Sequence, residues 1–232
     1  MNRGQSSVIG VALLLAITVV AVAGMTATVG TVIRDRAATA GTDRVATAFD
    51  DALDPHVGGP GRDRIALPGG RLRVVERTLR VRRPGRTVAA YEVGGLVYTA
   101  DDRSVTYLSG ALVRSTPAGE TVRGDLPVRA SDGDVFVSAA ILGTPTGRGI
   151  DADATTLRTN VTHDRRTVGP GDYRIAIETR APDAWATRLD GIGRTSRTDF
   201  DDDGVPSVVV DPLGSGRIYL TIHRLRLEVT PA

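Results

Sequence analysis

The chain has 232 residues, enough for one domain of ordinary size with an extension, or for two small ones. Hydrophobic residues make up 41% and aromatic residues only 4%, so any core must rest on Val, Ile, Leu and Ala. There is no Cys, which excludes disulfides, cysteine-based zinc sites and thiol nucleophiles. Every basic residue is Arg, and 29 bases against 27 acids leave a net charge of +2, a balance that does not point to a nucleic-acid partner.

Gln5 to Ile33 carries no formal charge. That run is longer than the roughly 20 residues needed to cross a hydrocarbon core. It also exceeds the apolar region of a cleaved secretory signal, about 7–15 residues, although Ala21-Val22-Ala23 imitates a small-x-small cleavage site. The next stretch, RDRAATAGTDRVATAFDDALDP, stays compatible with helix. Its apolar members Ile33, Ala37, Ala40, Val45, Ala48, Phe49 and Leu53 fall near one helical face. Pro55 provides the stop, and Asp54 before it is biased away from helix. One helix from Gln5 to Leu53 would be about 70 Å long, apolar in its first half and amphipathic in its second.

Arg3-Gly4-Gln5-Ser6-Ser7, set directly before that apolar helix, resembles the class III signal of archaeal type IV pilins and archaellins. The resemblance implies cleavage between Gly4 and Gln5 by a prepilin-peptidase-like enzyme, so that the helix is kept rather than discarded. Bacterial pilins carry a Glu five residues after the cut, where this chain has Ile9; archaeal relatives commonly lack it. The specific motif covers about the first 35 residues. The remainder is similar, less specifically, to haloarchaeal pilin-like secreted proteins. Implied with it are membrane anchoring, self-assembly or other pilin subunits as partners, and a cell-surface location with the C-terminal domain outside. The competing reading is a non-polymerising, signal-anchored module that binds a sugar or cell-surface ligand. Small residues along the helix, including Gly10, Ala12, Ala16 and Gly24, permit close helix approach.

HVGGPGRDRIALPGG then reads as a Gly/Pro-rich linker. After it, short β-type runs alternate with turn clusters to the end, among them TVAAYEV, LVYTA, VTYLSGALVRST, DVFVSAAILG, TTLRTNVT, YRIAIET and VPSVVVD. Pro182–Leu189 interrupts them as a short helix, with Pro and Asp at its start and Gly191 beyond its end. Two long runs change phase midway. Leu72 and Val74 are even-numbered whereas Val75, Leu79 and Val81 are odd; Ile218, Leu220 and Ile222 are even whereas Leu225, Leu227 and Val229 are odd. With a side-chain period of two, each predicts a bulge or bend, near Val74–Val75 and near His223–Arg224. The expected fold is α+β: one long N-terminal transmembrane helix, then an antiparallel β-sandwich with one short helix. The segments are a leader at 1–4, the helix at 5–54, a linker at 55–70 and an extracellular β domain at 71–232.

DFDDDG places Asp199, Asp201, Asp203 and Gly204 at the first, third, fifth and sixth positions of an EF-hand-type loop. With the carbonyl of Val205, these acids form a candidate Ca²⁺ site, although the acid expected at the twelfth position is Val210. An Asp-rich solvated turn is the other reading of these residues. Asn160-Val161-Thr162 is a glycosylation sequon. His56, His163 and His223 are far apart in sequence, which suggests no ligand set and no catalytic arrangement. Arg71, Arg73, Arg77, Arg80, Arg82, Arg83 and Arg86 face a lone Glu76; they read either as a solvated strand face or as a binder of phosphates or an acidic polymer. No nucleophile or metal constellation is legible, so the chain reads as a non-enzyme with no cofactor beyond that calcium.

Overall fold

The computed structural model describes residues 3–143, 149–212 and 216–231, with side chains described at 13–22, at 25 and from 36 onward except at 150 and 151. In chain order the elements are α1 (Arg3–Ala52), β1 (Gly59–Ala66), β2 (Arg71–Val75), β3 (Thr78–Arg83), β4 (Arg86–Glu92), β5 (Gly95–Ala100), β6 (Arg103–Leu108), β7 (Ala111–Thr116), β8 (Gly119–Gly124), β9 (Val128–Ser131), β10 (Asp134–Leu142), β11 (Gly149–Asp151), β12 (Ala154–Val168), β13 (Arg174–Glu178), α2 (Pro182–Leu189), β14 (Gly193–Thr198), β15 (Ser207–Pro212) and β16 (Ile218–Pro231). The chain divides into two compact units, Met1–Gly41 and Thr42–Ala232.

The first unit is helical. Its large described apolar side chains, among them Leu13, Leu14, Leu15, Ile17 and Val20, are 59–74% exposed. The expected transmembrane helix is not found: among the described residues no helix is long and apolar enough to cross a membrane. Residues 13–22, the longest apolar stretch with described side chains, rise about 15 Å, half of a ~30 Å hydrocarbon core. Gln5, Ser6, Ser7, Thr26, Thr28 and Thr31 dilute the apolar run on either side.

The second unit is mostly strand, and it is not a two-layer antiparallel sandwich. Three sheets form, in the orders β1-β12-β16-β10-β9, β11-β2-β5-β6-β7-β8 and β14-β15-β13-β3-β4. One pair, β10 with β16, is parallel. Two apolar cores lie among the sheets. Core one gathers Leu79, Val81, Ile175, Ile177, Val208 and Val210 of the third sheet with Trp185 and Leu189 of α2. Core two gathers Leu72, Val74, Leu96, Tyr98, Val105 and Tyr107 of the second sheet with Val45, Phe49 and Leu53 from the end of α1. The first sheet serves both: Val135, Val137 and Ala139 of β10 enter core one, whereas Ala140 and Leu142 enter core two.

That double duty accounts for the change of phase in β16, a break between two strands accounts for the earlier one, and together they correct the two expected bulges. In β16, Ile218, Leu220 and Ile222 lie in core one, and Leu225 and Leu227 in core two. Its register with β12 runs unbroken from Val168↔Ile218 to Thr155↔Pro231, so no residue is inserted. The parity flips because the strand passes from a core on one face to a core on the other. In the earlier run the chain breaks: β2 ends at Val75 in the second sheet, and β3 starts at Thr78 in the third. A register shift does occur, but between Val81 and Arg82.

Helix α2 spans the expected Pro182–Leu189, with Pro in its first turn and Trp185 and Leu189 buried. The segment 55–70 contains a full strand, β1, paired with β12 from Gly59↔Val161 to Ala66↔Ala154. Strand β12 extends well past TTLRTNVT through the exposed polar residues 162–167, held by its ladder to β16. Tyr107 is fully buried and donates its hydroxyl proton to the Leu53 carbonyl at 2.8 Å. This bond fastens the last turn of the helix to β6 and satisfies a carbonyl that the helix leaves open.

Candidate functional site

All three histidines of the chain meet at one edge of core two. β12 and β16 place His163 directly opposite His223, and their Nδ1 atoms lie 2.9 Å apart. β10 runs along the other side of β16 and brings Ser138, whose Oγ lies 2.9 Å from His223 Nε2. His56 comes from the segment between α1 and β1. A turn bonded from its backbone N–H to the Asp54 carboxylate, 2.8 Å, sets its position. Its ring meets His223 edge-on, with centroids 5.3 Å apart, and its Nε2 lies 3.5 Å from Asp125 Oδ2. Asp125 also accepts from Arg129 at 2.6 Å.

His223 is only 4% exposed. Burial pushes its pKa below the usual histidine range, and the neighbouring His163, His56 and Arg165 push it further. The Pro55 carbonyl, which accepts a hydrogen bond from the ring, works the other way. His223 is therefore neutral at pH 7, donor at one ring nitrogen and acceptor at the other.

Beside the cluster is a cavity of about 690 Å³, lined by His56, Ser109, Asp125, Arg129, Phe136 and Ser138 among others. Phe136 is stacked on Tyr219 with centroids 5.1 Å apart and forms an apolar wall. Ser109 sits at the β6–β7 turn with φ 54°, is 1% exposed, and its hydroxyl has no partner among the described residues.

Sequence reasoning missed this site because its members lie 85 and 60 residues apart. The one legible trace was the phase change at His223, which marks where the strand leaves one core for the other.

The other expected sites are placed as follows. Asp199 accepts from the backbone N–H groups of Asp201 and Gly204, at 3.2 and 2.9 Å. Asp203 accepts from the N–H of Val205 at 2.9 Å, and Asp201 pairs with Arg80. The acids thus build a turn, with Asp202 at φ 55° and Gly204 at φ 77°, and dock it on β3. Among the described residues no group of three or more His, Asp or Glu is placed to hold a metal ion. Asn160 is exposed on β12, opposite Pro60 on one side and Arg226 on the other. Gly4 and Gln5 belong to the backbone of α1; their side chains lie outside the described residues.

The arginine-rich stretch is divided by the break between β2 and β3. Arg82 and Arg80 lie over the Phe200 ring, 4.3 and 5.3 Å from its centroid. Arg83 donates to the Pro170 carbonyl at 2.9 Å and to the Tyr173 hydroxyl at 2.5 Å. Arg77 and Arg80 flank Glu178 at 3.6 and 3.8 Å. The desolvation of Arg77 lowers its pKa more than Glu178 raises it. Arg73 and Arg77 line, with Arg180, Thr99 and Ser115, a cleft of about 400 Å³ on the face of the second sheet turned away from core two.

One family model, described as a family of unknown function (DUF7289), matches residues 3–228. No curated protein and no solved structure matches the chain.

Proposed function

We propose that this chain, which belongs to the DUF7289 family of unknown function, works as a pilin-like surface subunit whose N-terminal helix is retained and packs against the same helix of other copies, with the β body displayed outside. The observation that carries this reading is the run of Leu13, Leu14, Leu15, Ile17, Val19 and Val20, each at least 61% exposed in the single chain. Contiguous apolar surface of this kind marks an interaction site. Like helices suit it as occupants because Ala12, Ala16 and Gly10 recur along it and allow close approach of backbones. The resemblance of Arg3-Gly4-Gln5 to a pilin-type processing signal supports the same reading.

A non-polymerising module that binds a sugar or other cell-surface ligand is a second reading, favoured by the cleft in which Arg73, Arg77 and Arg180 meet Asp101, Asp102 and Glu120. Electron microscopy of sheared surface filaments, with peptide mapping of their N-termini, separates the two. The first reading expects filaments containing this chain with Gln5 at the N-terminus, and no assembly after Gly4→Leu. A chain recovered only unassembled, starting at Met1 or near Thr26, overturns it.

A further inference from the structure

We infer that Ser138 is an activated serine nucleophile of the acyl-transfer type, with His223 as its base and His163 as the residue that positions that base. The hydrogen-bonded order is Ser138 Oγ to His223 Nε2, 2.9 Å, then His223 Nδ1 to His163 Nδ1, 2.9 Å. A nucleophile in contact with a base that is itself held by a third group is the arrangement by which a hydroxyl becomes reactive. The ladder between β10 and β16 fixes Ser138 opposite Thr221, and the ladder between β12 and β16 fixes the two histidines opposite each other. All three groups therefore sit on paired strands rather than loops.

With the single His223 ring proton on Nδ1, shared between His163 Nδ1 and the Pro55 carbonyl, Nε2 presents its lone pair to the serine hydroxyl. The groups facing His223 are His163 and Arg165 from β12, His56 with its partner Asp125, the Pro55 carbonyl, and Ser138. Burial and the three nearby basic groups favour the uncharged ring, which is the form able to take a proton.

A second feature independently points to a ligand. Ser109, buried and without a partner among the described residues, lines the same cavity as Ser138. An orphan buried hydroxyl is costly unless something fills it. A carbonyl oxygen of a bound molecule would accept its proton. Phe136, Leu126 and Ala130 supply an apolar wall, so the substrate class is a carboxylic ester with a small apolar group. Ser138 Oγ would bond to the acyl carbon as its proton passes to His223 Nε2. The alcohol would leave with that proton. Water would then attack the acyl-serine, give a proton to Nε2, and release the acid with Ser138 restored. His163 lacks the negative charge of a triad carboxylate, so the expected activity is modest.

The test is labelling of the full chain with a fluorophosphonate, followed by peptide mapping, together with hydrolysis of p-nitrophenyl acetate. The expected result is one adduct, on Ser138, formed at least 100-fold faster than on the urea-unfolded chain. His223→Gln should abolish the acceleration. His163→Gln should slow labelling and change the dependence of its rate on pH, a readout that a purely structural role would not move. Melting curves of both variants establish that they fold. If a variant does not fold, the native chain decides alone, through the site of its adduct and the fall of labelling rate as acid protonates His223. Adducts spread over several serines, or labelling of Ser138 no faster than in the unfolded chain, overturn the proposal. Filament assembly is read separately, so either result can fail without the other.

Discussion

Ile222 and Leu225, three residues apart on the unbroken strand β16, are buried in different cores. The strand is therefore a shared wall, and the two cores should not unfold independently. Ile222→Ala and Leu225→Ala should each cost about 2–5 kcal/mol, and each should lower a single cooperative transition rather than split it. Inserting one Ala between His223 and Arg224 should be far worse, because it turns every later side chain to the opposite face. Urea denaturation followed by circular dichroism measures both.

Tyr107 provides a second test. Its phenol is buried against the Leu53 carbonyl, and burial, with help from Asp54 and Asp50, pushes its ionisation far above the usual tyrosine value of 10.0. The folded state thus holds the proton more tightly than the unfolded state. The stability this gives is complete below pH 10 and is lost as pH rises beyond it. Tyr107→Phe should cost about 1–3 kcal/mol at neutral pH by orphaning the carbonyl. It should also flatten the alkaline decline in stability. Ultraviolet titration of the native protein should show a tyrosine that ionises only on unfolding.

His223 behaves in the opposite sense. Its folded pKa lies below 6.5, so between the two values the unfolded chain binds more protons. Stability should fall as pH drops from about 6.5 and keep falling until the folded pKa is passed. Melting temperature measured across this range should show that slope, and His223→Gln should reduce it. An unchanged slope would mean that the histidine cluster is not the group titrating.

Glu178 is 6% exposed in its side chain and lies between Arg77 and Arg80, each 11% exposed. It also accepts from the Thr78 N–H at 3.1 Å. Glu178→Gln leaves the poorly solvated Arg77 guanidinium without its counter-charge, while Arg80 keeps only Asp201. A loss of about 3–5 kcal/mol is expected, read as a lowered denaturation midpoint.

The Asp199–Gly204 turn should be indifferent to calcium, because its carboxylates are engaged by backbone N–H groups and by Arg80. Melting in millimolar calcium should match melting in sodium at equal ionic strength. Asp199→Ala should cost about 1 kcal/mol through the lost turn bonds. A rise in melting temperature specific to calcium would show that the acids can turn inward to an ion.

What the amino-acid sequence determined by itself was local. Helix α2 with its Pro182-Asp183 start, the helical continuation up to Leu53 before Pro55, and most apolar strands follow from propensity, period and punctuation, which act over a few residues. The polar strands β1, β8 and β14 carry no such period, so they were not legible; a ladder to the distant β12 holds β1, and ladders to their sequence neighbours β7 and β15 hold β8 and β14. The two phase changes were visible, but their meaning depended on where a second core lies, and that is set by sheets whose strands come from opposite ends of the chain. The histidine cluster is the extreme case. His163 and His223 become neighbours, and Ser138 joins them, only because β10, β12 and β16 pair side by side; His56 is added by the turn between α1 and β1. Strand pairing over such distances is chosen by the burial of whole sheet faces, a property of the assembled fold that no short window of residues contains.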